Sequence, residues 1–283
     1  VFIGLIATIS LMFDLCHFLQ KRVVYKELSK TEMVKKIKKV SEYKFLDRFG
    51  EVGEYVRLEI KLLTRNKVPR AQLYMGLGIM LMFSAALAFT DVYDGTFMRY
   101  FITIYNFAVL GVMVLSQTMS YEGNYLDGLM SRRESILQLL TAKYYFNVLL
   151  LLIPPIILTP LMIIGKMSVW MNLGYFFFTA GVLYPLLFQM AVYNDNTLPM
   201  NTKMTSKQGN TAQQIISMVI LFLPIGLEKG ATALLGEPWG YVLLATLGLA
   251  GVLSHRHILR NVYSRFMARR YKNMEGFRAS RNS

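Results

Sequence analysis

The chain has one cysteine, three histidines and few charges. Cys16 has no second thiol to pair with, which excludes a disulfide scaffold. Charged residues make up 17%, against the about 25% usual in water-soluble domains. No His-Glu-x-x-His, Gly-x-Ser-x-Gly or usable nucleophile–base pair occurs. No Gly-x-x-x-x-Gly-Lys-Ser/Thr occurs either, so the chain does not hydrolyse ATP through a P-loop. His255 and His257 flank Arg256 and fall on opposite sides of a helix, so they are not a ligand pair. We therefore assign no catalytic, cofactor-binding or metal-binding residue and read the chain as a non-enzyme.

What is present is apolar surface. Residues of the AVILMFWYC set make up 54% of the 283, and the mean hydropathy is +0.38. They gather in long uncharged runs, the pattern of a polytopic membrane protein. The fold class expected is all-α, with about seven transmembrane helices at 1–19, 71–90, 98–117, 144–164, 168–192, 212–227 and 238–254. Most approach the about 20 residues needed to cross a bilayer. The sixth is short and is expected to dip or to thin the bilayer. The run 1–19 lacks a basic leader and a small-residue cleavage site, so it reads as a span rather than a signal peptide. A start inside an apolar run suggests the later part of a longer polypeptide.

The net charge is +14. Of the 31 Lys and Arg residues, 28 lie in 20–70, 118–143, 193–211 and 255–283; only Arg99, Lys166 and Lys229 lie in the other set of loops. The positive-inside rule then places Val1 outside and Ser283 in the cytoplasm of a plasma (inner) membrane. The tail 255–283 mixes Arg and Tyr, but topology accounts for its charge. It is read as a helix end at an anionic leaflet, with no nucleic-acid partner.

Between the spans, 20–50 reads as a basic cytoplasmic linker. Segment 51–67 reads as an amphipathic interfacial helix with Val52, Tyr55, Val56, Ile60 and Leu63 on its apolar side. Glu59 intrudes on that side and Leu58 strays from it. In 118–143, Ser131 and Glu134 have capping-box spacing. That predicts a break near Ser131, preceded by a short helix Glu122–Met130 whose Leu126, Leu129 and Met130 form an apolar side fit for a partner's groove.

This loop resembles the coupling segment of ABC-2 type ABC exporter permeases. Glu122-Gly123 matches the acidic-Gly opening, Leu126-Asp127-Gly128-Leu129-Met130 the Leu-Glu-x-Leu-Leu core, and Leu139 with Lys143 the close. Arg132-Arg133 replaces the usual turn proline. The resemblance covers about 51–263 in architecture and implies a six-span core at 71–254. It implies a bacterial membrane permease subunit of an ATP-driven exporter that forms the translocation pathway. The partner would be a separate ATP-binding-cassette ATPase carrying ATP and Mg, contacted through Glu122, Gly123, Leu126, Asp127, Leu129 and Met130. It also implies a second six-span half or a homodimer, the span 1–19 closing an upstream unit. The alternatives are a secondary transporter or channel without an ATPase, and a membrane scaffold.

Further expectations concern the membrane interior. Asp14 and His17 share a helix face, as a metal pair or proton relay or in a structural or snorkelling role; two ligands are too few for a zinc site. Spans two to seven carry essentially no charge at the midplane, which weighs against the secondary transporter. Pro154, Pro155, Pro160, Pro185 and Pro224 interrupt spans, where transporters line cavities. Glu228, Lys229 and Trp239 are placed in an outer turn after Pro224. Gly76, Gly78, Ala85, Ala86, Pro185 and Pro224 are expected to face a junction between halves. Bulk at Gly76 or Gly78 is then expected to harm transport more than bulk at Gly251.

Overall fold

The computed structural model describes residues 43–90, 95–131, 135–198, 200–201 and 211–281. The span 1–19, the pair Asp14 and His17, most of the linker 20–50, and Arg132-Arg133 with Glu134 lie outside the described residues. The architecture that follows is that of the unit Phe45–Ser283. Every regular element among the described residues is helical.

The amphipathic segment forms α1 (Gly50–Arg65). Its apolar side turns inward: Tyr55, Val56 and Leu63 are buried, Val52 and Ile60 partly so, and Leu58 is exposed. α1 ends at Asn66, which is extended and whose amide donates to the Leu62 carbonyl at 3.0 Å. α2 (Lys67–Phe89) starts at once, with Pro69 in its first turn, where no intrahelical donor is needed. α3 (Thr96–Leu110) passes through a π-helical stretch, Gly111–Leu115, into α4 (Thr118–Glu122). A turn leads to the short α5 (Leu126–Ser131).

α6 (Ile136–Leu150) and α7 (Ile153–Ile163) are one apolar stretch interrupted at Leu151-Leu152. Pro154 and Pro155 in the first turn of α7 remove two donors, which sets the break there. α8 (Val169–Phe178) continues through a second π-helical stretch, Thr179–Leu183, into α9 (Tyr184–Ala191). α10 (Thr211–Leu235) and α11 (Glu237–Leu253) follow, and α12 (His255–Arg281) bends away from α11 by 64° at Ser254. The Ser254 hydroxyl donates to the Ala250 carbonyl at 2.7 Å, an i−4 bond that competes with the helix ladder.

Among the described residues, four helical stretches are long and apolar enough to cross a membrane: Lys67–Phe89, Phe97–Glu122, Ile136–Ile163 and Val169–Ala191. A fifth is counted if the bent pair of α11 and α12 forms one span. Several apolar helices of this length make the chain an all-α membrane-spanning protein.

One sequence expectation changes. The sixth segment does not end near Leu227. α10 runs through Pro224 to Leu235, and the turn is Gly236, with φ 94°. Glu228 and Lys229 are therefore helical. Charges end an apolar run, but they do not end a helix. Within this unit, helix backbones approach most closely away from Gly76 and Gly78. A methyl at Gly76 would meet only side chains, Leu110 at 2.9 Å and Met113 at 4.0 Å, and one at Gly78 would meet nothing within 4 Å. At Gly181 and Gly251, by contrast, it would strike the other helix's backbone, Gly248 and Gly181 respectively; at Gly248 it would strike Phe177. The small-residue crossing joins α8 and its π stretch to α11, the pair packed most extensively.

Candidate functional site

Lys143 lies on α6, one turn before the apolar stretch begins in earnest, and its side chain is 0% exposed. A buried ammonium persists only when it is paired and hydrogen-bonded. Lys143 Nζ donates to Glu59 on α1, itself buried, and to Glu122 Oε1 on α4 at 2.8 Å. The intruding Glu59 of the sequence is thus one arm of a three-helix ion cluster. One ammonium serves two carboxylates. Burial pushes the Glu59 carboxyl above the ordinary carboxylate value, Lys143 opposes that rise and Glu122 adds to it. Next to this cluster, the Tyr121 hydroxyl donates to Gln72 Oε1 on α2.

The residues expected to contact an ATPase lie around this cluster, in a different arrangement from the predicted helix Glu122–Met130. Glu122 ends α4, held there by Lys143, and the Tyr125 N–H closes a turn on its carbonyl at 2.8 Å. Only Leu126–Ser131 forms the short helix. Leu126 is 1% exposed, so it anchors α5 inside the chain. Leu129 and Met130 are partly buried; Asn124, Tyr125 and Gly128 are exposed.

The segment is also held from behind. A methyl at Gly123 would press on Thr197 and on the Phe277 ring of α12 at 2.6 and 2.9 Å. Arg278 of α12 grips Asp127 through two nitrogens, at 3.0 and 3.3 Å. The connector after α9 threads between them. Asn194 Nδ2 donates to Ser120 Oγ at 2.7 Å, and Leu198 N–H to the Ser120 carbonyl at 3.1 Å. Thr197 N–H donates to Ser280 Oγ at 2.9 Å, and Val68 N–H to the Met200 carbonyl at 2.9 Å. Sequence reasoning missed these links, because each joins residues far apart in the chain. The out-of-pattern Glu59 was the one signal that could have exposed the cluster.

The remaining candidates are scattered. Pro185 sits buried in the first turn of α9, and Pro224 is buried inside α10. Ala85 is exposed and Ala86 partly buried on α2. Pro155 does line an opening, an apolar groove of about 540 Å³ between α7 and α8 that includes Ile156, Met162, Asn172 and Phe176. His255 is held on both sides, with Nε2 2.9 Å from the Tyr145 hydroxyl of α6 and Nδ1 2.7 Å from the Val252 carbonyl. No group of three or more His, Cys, Asp or Glu side chains that could hold a metal occurs among the described residues.

The family model described as a family of unknown function (DUF5687) matches residues 1–280. The chain belongs to that family. No curated protein matches it, and no solved structure matches it.

Proposed function

We propose that this chain is the membrane permease subunit of an ATP-driven exporter of the ABC-2 type, forming the translocation pathway. In this reading the chain has seven spans in a bacterial plasma membrane, with a cytoplasmic C-terminus. It pairs with a second six-span half or a second copy. ATP and Mg belong to a separate ATPase. The observation that carries the reading is the Glu59–Lys143–Glu122 cluster behind α5. It fastens the candidate coupling segment to the amphipathic helix and to the following span, so a push on α5 is passed to both. A rigid, charge-locked joint is what a coupling element requires.

The burial of Leu126 moves the docking face to Asn124, Tyr125 and Gly128. The test is co-expression of the full chain with candidate ATP-binding-cassette ATPase subunits. Tyr125→Asp with Gly128→Asp should leave membrane insertion intact and abolish co-purification. Unchanged co-purification would remove the coupling role. The orientation is tested separately, with cysteines at the exposed Ser264 and Gly236 positions. In intact cells an impermeant reagent should label only the second.

A second reading, a secondary transporter, gains one observation. Glu228, two turns before the end of α10, is 0% exposed, a buried ionisable group of the kind such a transporter would use. Intramembrane ionisable groups mark ion or substrate pathways by default.

A further inference from the structure

Glu228 lies two turns before the end of α10, at the end of the unit away from the Lys143 cluster. One carboxylate oxygen accepts a hydrogen bond from Thr232 Oγ1 at 2.9 Å, an i to i+4 bond on its own helix. The other oxygen has no partner among the described residues. α11 lies directly against this point. A methyl at Gly240 would crowd the Thr232 hydroxyl and meet the Glu228 carbonyl at 3.0 Å. Only a glycine lets the two backbones close over the carboxylate.

The other walls are phenolic. Tyr175 on α8 is 0% exposed, its hydroxyl has no partner among the described residues, and its electrostatic neighbours are Glu228, Tyr241 and Tyr100. The Tyr100 and Tyr241 hydroxyls are 3.0 Å apart. The exposed Lys229 lays its ammonium 3.9 Å from the centroid of the Tyr100 ring, so a cation already occupies the rim. Adjacent helical residues do not face each other, so Lys229 does not complete the Glu228 carboxylate from its own position. This end thus gathers one buried, unpartnered carboxyl oxygen, a threonine hydroxyl and three phenols, all hard oxygen donors. A buried carboxylate with spare lone pairs needs a positive partner.

We infer that Glu228, with Thr232 and the Tyr100–Tyr175–Tyr241 hydroxyls, forms a binding site for a small monovalent cation, an alkali metal ion or a primary ammonium. Hard oxygen ligands with one formal negative charge suit a singly charged cation. The tight cover by Gly240 excludes bulky ones. The site does not depend on an ATPase, so its test is separate from that of the coupling segment.

The experiment is thermal unfolding of the full chain in detergent, at fixed ionic strength. Sodium, potassium or methylammonium chloride is titrated against N-methylglucamine chloride. We expect a saturable rise in Tm with sodium or methylammonium, the stronger of the two naming the ligand. In Glu228→Gln, which keeps the side-chain shape, the apparent Kd should weaken at least about tenfold, the weight of one charge-assisted contact. If Glu228→Gln does not fold, Glu228→Asp should fold and shift the order of preference among the three cations. Saturation that Glu228→Gln leaves unchanged overturns the proposal, as does a wild-type Tm equal in all four salts. A protonated-carboxyl infrared band at neutral pH that disappears in Glu228→Gln overturns it in favour of a proton as the occupant.

Discussion

The two ends of the described unit each bury a charge, and they treat it in opposite ways. At one end Lys143 meets two carboxylates from two other helices, and the buried ammonium is satisfied. At the other, Glu228 shares one oxygen with its own helix and keeps the second unpartnered among the described residues. A paired buried charge contributes little net stability but makes a joint that is costly to break. A buried charge with a free oxygen, facing side chains that can donate and accept, is organised for something not yet bound. The comparison therefore separates a charge-locked joint from the proposed binding site. The predictions that follow strain that separation in turn.

The largest effect is expected from Lys143→Met. It strands Glu59 and Glu122 in a buried setting, where removal of one partner costs about 3–5 kcal/mol. Unfolding of the purified chain should register that loss. Adding Glu59→Gln and Glu122→Gln should recover most of it, because the uncompensated charges are then gone. If Lys143→Met unfolds like the wild type, the cluster is not a locked joint.

The next test concerns the crossing that lies between the two ends. Gly248→Val drives a side chain into the Phe177 backbone, and overpacking of this kind typically costs about 1–3 kcal/mol or more. Gly78→Val points into open space and should stay within about 0.5 kcal/mol of wild type. The expected order of Tm in detergent is Gly78→Val above Gly76→Val above Gly248→Val.

A smaller effect is expected from pH at the Lys143 end. Burial raises the Glu59 carboxyl above its ordinary value of 4.5. A raised carboxyl contributes stability that is complete below the unfolded value and is lost as pH rises through the folded one. Starting near pH 4.5, Tm of the wild type should therefore fall relative to Glu59→Gln as the pH is increased. A constant difference between the two across that window would mean that Lys143 fully compensates the burial of Glu59.

How much of this was legible in the sequence differs between the same two ends. Helix positions were readable wherever hydropathy and periodicity agree, as in Val52, Tyr55, Val56 and Leu63 of α1. The partner of Glu59 was not, because Lys143 is 84 residues away and no local pattern connects them. Leu126 reads as a free apolar contact in the sequence, because nothing in 118–143 reveals that α12 returns to this segment, with Phe277 against Gly123 and Arg278 on Asp127. The Glu228 site was missed for another reason. The charged pair Glu228-Lys229 closes an apolar run, and a window that scores composition reads that as a loop. The Thr232 hydroxyl one turn later and the continuous helix to Leu235 contradict the loop, but only in three dimensions.

The smallest effect expected tests whether the Glu228 end is a prearranged shell or a collection of separate side chains. Tyr100→Phe removes the 3.0 Å contact with the Tyr241 hydroxyl while keeping the ring under Lys229. Loss of a single neutral hydrogen bond is worth about 0.5–1.5 kcal/mol, and the Tyr241 hydroxyl is left to reorient. In cation-free buffer the change in Tm should be small. If the phenols act together as ligands, Tyr100→Phe should weaken cation binding more than it lowers stability. The double variant with Glu228→Gln should then lose no more binding than Glu228→Gln alone. Fully additive losses would instead describe independent residues, and the contrast with the three-helix lock at Lys143 would then rest on Glu228 alone.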